Sequence, residues 1–306
     1  MNQATNRDTT SAAIDEDVVF TSHHHTHHRF ASSRQHPLAP KTNYRNISVS
    51  YRLNKAIHII TITRPEVKNA VDRRTADELF QAFYDFEKDP NGCVAILYGG
   101  EDVFCAGADL KAISQGNMNL VEPPVETLKG PMGPTRMELS KPTIAAIGGG
   151  PCVAGGLELA CWCDLRVCKS NTKWGVLCRR FGVPLIDGGS IRLPALIGLS
   201  RAMDLILTGR EFTGEEAFRM GLANRLISPE SNVLDAAVEL ATQLCKYPQL
   251  CLRHDRMSTY ENAFSGKTLK EKLHTEYEHG LSPLNIETLK GAKTFLTTNV
   301  QRKSNL

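Results

Sequence analysis

The chain has 306 residues, of which 41% are hydrophobic and 23% charged, the balance of a soluble globular protein rather than a fibre or an unfolded chain. A net charge of +3 is too mild to argue for nucleic acid and compatible with an anionic small ligand. No uninterrupted apolar stretch reaches about 18 residues, so no membrane-spanning helix is expected.

Residues 1 to about 43 are rich in Ser, Thr, Asn and His, lack apolar periodicity and read as a disordered tail. They include HHHTHH at His23–His28, read as low-complexity drift rather than a metal site. The acid-free stretch around Arg29, HHRFASSRQH, resembles a mitochondrial presequence, whereas Asp8, Asp15, Glu16 and Asp17 upstream do not suit one. On that basis a mitochondrial protein is expected, ahead of peroxisomal and cytosolic alternatives.

Order begins with AIHIITITRP, a strand that Pro65 ends. Asp72 then caps a helix in which Ala76, Leu79, Phe83 and Phe86 share one face, closing at Asp89-Pro90. A second apolar run, Cys93 to Tyr98, meets Gly99-Gly100 and the turn EDVFCAGADLKAI. A third, Thr143 to Ile147, meets Gly148-Gly149-Gly150 and a short helix from about Gly155 to Cys161. Strand, glycine-rich turn and helix recur at intervals of about 50 residues, which predicts a layered α/β domain of repeated units over residues 44–240. Beyond Leu193 the pattern is helix after helix, with Thr213 and Glu216 spaced as a capping box, and residues 241–306 form a helical C-terminal region. Nine scattered cysteines include no C-x-x-C pair, so buried reduced thiols are expected and no metal site. Cys161 and Cys163 would share one face if they flanked Trp162 on a strand.

The glycines between Gly148 and Gly156 fail three motif tests. A phosphate loop would need Lys and Ser/Thr after Gly155, where Gly156-Leu157 stand; a dinucleotide fingerprint would need glycine at Val153; and G-x-S-x-G occurs nowhere. What survives is a helix start with exposed N–H groups at Gly155 and Gly156 and an acid, Glu158, one turn in. That combination is an oxyanion site beside an acid/base group.

RPEVKNAV (Arg64–Val71), VFCAGADLK (Val103–Lys111), GPCVAGGLELACWCDLRV, GVPLIDGGSIRLPALIG (Gly182–Gly198) and TGREFTGEEAFRMGLANRL resemble, in order and spacing, the enoyl-CoA hydratase/isomerase (crotonase) family over residues 48 to 300. The resemblance implies a crotonase-like spiral of strand-strand-helix units with a helical C-terminal region, assembled as a homotrimer or dimer of trimers. It implies an acyl-CoA thioester substrate, with coenzyme A part of that substrate and no separate cofactor. The oxyanion N–H groups would be those of Ala108 and Gly155. Ala108, Asp109, Leu110 and Lys111, with Asn69 and Ala70, resemble the cradle for the CoA adenine and pantetheine.

Hydratases of the family carry a second glutamate about twenty residues after the first; here Leu177, Cys178 or Arg179 stands at that position. A different acid, Asp187, falls where dienoyl-CoA isomerases carry an aspartate. It reads either as a partner of Glu158 in proton transfer or as a cap on the Gly188-Gly189 bend. An enoyl-CoA hydratase-like lyase or isomerase is expected. The alternatives are a catalytically weak CoA-binding scaffold and an RNA-binding relative, the latter disfavoured because DRRTADELFQAFYDFEKD carries more acids than bases.

Overall fold

The computed structural model describes residues 43–119, 121–124 and 127–304, so the expected tail and its histidine cluster lie outside the described residues. The strands are β1 (Ile47–Arg52), β2 (Ile57–Ile62), β3 (Val94–Tyr98), β4 (Thr143–Ile147), β5 (Pro151–Val153), β6 (Leu165–Lys169), β7 (Lys173–Gly175), β8 (Glu211–Thr213) and β9 (Arg225–Ile227). The helices are α1 (Arg73–Lys88), α2 (Leu110–Ser114), α3 (Gly155–Trp162), α4 (Gly189–Ile197), α5 (Leu199–Thr208), α6 (Gly214–Arg219), α7 (Val233–Cys245), α8 (Gln249–Ala263), α9 (Leu269–Ile286) and α10 (Thr288–Ser304).

Six strands form one sheet in the order β1-β2-β3-β4-β6-β9, parallel except for β1, and β5-β7-β8 form a second, smaller sheet. The central strands are buried on both faces, so alternation sorts their side chains between two cores rather than between core and solvent. Ile57, Ile59, Val94, Ile96, Ile144, Ala146 and Val167 meet Val233, Ala237 and Ala241 of α7. Their neighbours Ile60, Ile62, Ala95, Leu97, Ala145 and Ile147 pack with Leu79, Phe83 and Phe86 of α1 and with Leu157 and Ala160 of α3. Asp72 caps α1 as expected, its side chain accepting from Thr75 N–H.

The strand-strand-helix unit is complete at β4-β5-α3. In the preceding turns the second strand shrinks to single bridges, Val71 with Ala108 and Cys105 with Cys152. Residue 240, the expected boundary of the α/β core, lies inside α7, which is itself the cover of the main sheet. Helix α8 is tied to the core through Asp164, whose carboxylate takes Arg256 Nε at 2.9 Å and Tyr260 OH at 2.7 Å, and α9 packs on α8.

Three local expectations change. Cys161 belongs to α3 and Cys163 is its C-cap, so the pair does not flank Trp162 on a strand; both thiols are nonetheless in the core. Thr213 accepts from Glu216 N–H, but the Glu216 carboxylate turns to Arg210 at 2.6 Å, leaving half a capping box. The full box forms at Thr268 and Glu271, where the sequence reading did not place one. Among the described residues no helix is long and apolar enough to cross a membrane.

Candidate active site

Two glycine-rich turns meet at the bridge between Cys105 and Cys152. Cys105 N–H donates to Pro151 O at 3.0 Å and Val153 N–H donates to Cys105 O at 3.1 Å. Three residues beyond each cysteine stand Ala108 and Gly155. Gly107 O accepts from Val71 N–H at 2.8 Å, and because a trans peptide points its C=O and N–H oppositely, the Ala108 N–H faces away from that strand. On the other side Ala154, with φ +53° and ψ −127°, swings the chain into α3 in a conformation that few side chains adopt. Among the described residues neither the Ala108 nor the Gly155 N–H finds an acceptor.

The geometry also gives the reason for the bare backbone. A Cβ on Gly107, whose φ is +94°, would lie 2.9 Å from Gly155 N, and one on Gly156 would lie 2.2 Å from Cys105 O. The two turns touch main chain to main chain, and any side chain between them would push them apart.

Glu158 sits one turn into α3, 3% exposed. Its Oε1 accepts two backbone N–H groups, from Asp187 at 3.0 Å and from Gly189 at 2.8 Å, while Oε2 has no hydrogen bond among the described residues. Burial, helped by the negative charge of Asp187, pushes its pKa from the ordinary 4.5 to about 7; the two N–H donors and Arg192 oppose that rise. With both lone pairs of Oε1 engaged, the proton that comes and goes resides on Oε2.

Asp187, 4% exposed, is also raised by burial, against hydrogen bonds from Thr135 and Met132. Its Oδ1 accepts Met132 N–H at 2.9 Å and the Thr135 hydroxyl. It does not cap the Gly188-Gly189 bend; Glu158 and Arg192 hold that bend, the latter donating to Asp187 O at 3.0 Å. Asp187 thus lies beside Glu158 with its Oδ1 held by the 130–135 turn, while its Oδ2 has no hydrogen bond among the described residues. Sequence reasoning missed Met132, Thr135 and Arg192. The only signal was the Gly130-Pro-Met-Gly133 turn pattern, which carries no chemistry of its own.

At the position of the second glutamate, residues 177–181 form one 3-10 turn. Cys178 is buried there, and burial together with the charge of Glu158 pushes its thiol up, so it stays protonated at neutral pH. Arg179 and Arg180 turn to the carbonyls of Ile206 and Gly209.

The expected CoA cradle divides. Asn69 is fully buried: its Oδ1 accepts Arg64 N–H at 2.9 Å, and its Nδ2 donates to Gly99 O at 2.6 Å, with Val103 O and Phe104 O also in reach. Asp109 caps α2 and pairs with Arg64 at 3.0 Å. Both side chains are engaged inside the protein. Leu110 and Lys111 are exposed at the start of α2, Ala108 is half-buried, and Ala70 is buried with its carbonyl taken by Arg64.

Comparison with known proteins identifies the family. The family model for enoyl-CoA hydratase/isomerase matches residues 52–300, and the chain belongs to that family. A carnitinyl-CoA dehydratase from Salmonella arizonae is 38% identical over 211 residues, covering 67% of this chain and 78% of the relative. An enoyl-CoA hydratase from Mycobacterium tuberculosis H37Rv superposes with a TM-score of 0.75 at 34% identity, covering 83% of this chain and 96% of that one. A carnitinyl-CoA dehydratase from Mycobacterium avium 104 gives 0.64 at 30% identity, over 78% and 90%. These relatives are bacterial and lend no support to the mitochondrial expectation, whose residues lie outside those described.

Proposed function

We propose that the chain is an enoyl-CoA hydratase-like lyase that works through an enolate. The observation that carries this reading is the meeting of two unengaged N–H groups, Ala108 and Gly155, with a buried carboxyl, Glu158, whose pKa is about 7. A thioester carbonyl seated between the two N–H groups gains most as its oxygen becomes an enolate, and a donor of this kind is worth roughly two to three orders of magnitude in rate. In the dehydration direction Oε2 takes the proton from C2, and the electron pair moves to the thioester oxygen. The enolate then expels the C3 hydroxyl, which leaves as water with the proton that Glu158 returns. Hydration is the reverse.

One carboxyl can serve both steps because its pKa matches the medium. No second acid is needed, in keeping with Leu177, Cys178 or Arg179 standing where hydratases of the family carry a glutamate. The same single carboxyl also fits migration of an enoyl double bond, which is the second reading. The scaffold reading predicts no turnover of either kind.

Leu110 and Lys111, exposed at the start of α2, are the side chains that would meet the CoA moiety, in a cradle that Asn69, Ala70, Ala108 and Asp109 complete. Exposed stripes at Leu199, Met203 and Leu207 of α5 and at Leu269, Leu273 and Tyr277 of α9 suit assembly as a homotrimer or dimer of trimers. A monomeric mass by light scattering at micromolar concentration would rule that assembly out. The activity is tested with a 3-hydroxyacyl-CoA, watching for the absorbance of the conjugated enoyl thioester; its absence, together with no double-bond migration, would leave the scaffold.

A further inference from the structure

We infer that Met132 is the wall that sets acyl-chain length, and that Asp187 acts as the positioning residue that holds it there rather than as a second acid. The inference rests on the acyl-CoA reading above and concerns the shape of that same site.

Residues 130–133 form a tight turn closed from both sides, with Gly130 N–H on Gly133 O at 2.8 Å and Gly133 N–H on Gly130 O at 2.9 Å. Side chains from three other segments anchor the turn and the residues after it. Asn119 Nδ2 donates to Pro131 O at 2.8 Å, Met132 N–H and the Thr135 hydroxyl both donate to Asp187 Oδ1, and Arg192 donates to Thr135 O at 2.8 Å. Gly133, at φ +97°, is wedged against α1, where a Cβ would lie 2.6 Å from Ala76 O.

The consequence is the position of the Met132 side chain, which is 1% exposed and pressed on Gly155. A Cβ on Gly155 would lie 2.6 Å from Met132 Sδ and 2.9 Å from Cε. Gly155 is the residue whose N–H faces the reacting carbonyl, and Asp187, which holds the Met132 backbone, gives its own N–H to Glu158. The thioether therefore packs against the residue that carries one oxyanion donor, and its backbone is held by the residue whose N–H meets the acid; on the acyl-CoA reading this puts it beside the start of the acyl chain. A long chain must displace a close-packed side chain whose backbone cannot retreat, so short acyl groups are favoured.

Binding of a series of saturated acyl-CoAs, butanoyl to hexadecanoyl, measured by calorimetry, tests this without relying on turnover. Met132→Ala is expected to shift the ratio of dodecanoyl to butanoyl affinity toward the longer chain by about tenfold or more, the scale on which apolar pockets discriminate size. Met132→Leu, of similar volume, should keep the wild-type profile. Asp187→Ala should shift the profile in the same direction, Asp187→Asn should not, and the double Ala variant should add little. If Met132→Ala fails to fold, Met132→Val opens a smaller space with the same expected direction. An unchanged profile in these variants, or an equal loss at every chain length, overturns the inference, whereas turnover of a short enoyl-CoA by the wild type keeps the proposed function standing. Failure of the wild type to bind any acyl-CoA overturns the proposed function as well.

Discussion

Replacing Glu158 by glutamine should make the fold more stable, by an amount that grows with pH. The wild-type carboxyl ionises at about 7 in the folded chain and near its ordinary 4.5 once unfolded. Below 4.5 both states hold the proton. Between 4.5 and 7 only the folded state does, so raising the pH there favours unfolding; above 7 both are ionised and the loss is complete. At 1.36 kcal/mol per pKa unit the full loss is about 3 kcal/mol, most of which falls between pH 5 and 8. Glutamine cannot ionise, yet its Oε1 can still accept Asp187 N–H and Gly189 N–H. Urea denaturation of Glu158→Gln and wild type at pH 5, 6, 7 and 8, at fixed protein concentration and ionic strength, reads the difference. Subtraction cancels every other titrating group to first order. Parallel stability curves across this window would refute the raised pKa and with it the assignment of Glu158 as a group poised near neutrality.

In the direction that removes the C2 proton, kcat/KM should fall as pH drops below about 7, because the base must be ionised, and Glu158→Gln should lose both this limb and about two to four orders of magnitude of turnover while still binding acyl-CoA. Asn69→Ala should act on stability rather than on KM: it leaves Arg64 N–H and several buried carbonyls unpaired, a cost of about 3 kcal/mol or more by thermal or urea denaturation, and a rise in KM without loss of stability would favour a direct CoA contact by its side chain. Gly156→Ala drives a Cβ to 2.2 Å from the Cys105 carbonyl, so poor folding or loss of at least about 2 kcal/mol is expected, and a variant as stable as wild type would contradict the packing of the two turns.

Much of the architecture was legible because it is written in local patterns. The apolar runs ended by Pro65, Gly99 and Gly148 are β2, β3 and β4, and Asp72 caps α1 as its place before a helical face indicates. Ala108, Gly155 and Glu158 could be singled out because glycine-rich turns and a first-turn acid are sequence features. Asp187 was found, but its hydrogen bonds to Met132 and Thr135, more than fifty residues away in sequence, were not, since nothing local announces a partner that distant. The internal partners of Asn69 and Asp109 were not legible for a related reason: a polar side chain beside a loop looks the same in sequence whether it faces outward or the loop behind it. That α7 covers the main sheet was not legible either, because it is amphipathic like any surface helix and only the tertiary structure shows what it packs on.

Incubation of purified protein with a 2-enoyl-CoA, a 3-enoyl-CoA and a 3-hydroxyacyl-CoA, each followed by mass spectrometry and by chromatography of the thioester products, decides whether the Ala108–Gly155–Glu158 arrangement does chemistry. Wild type should gain or lose one water, or move the double bond, and Glu158→Gln should do neither at a comparable rate. Conversion that survives undiminished in Glu158→Gln would contradict the mechanism, and no conversion of any of the three by the wild type would contradict the enzyme.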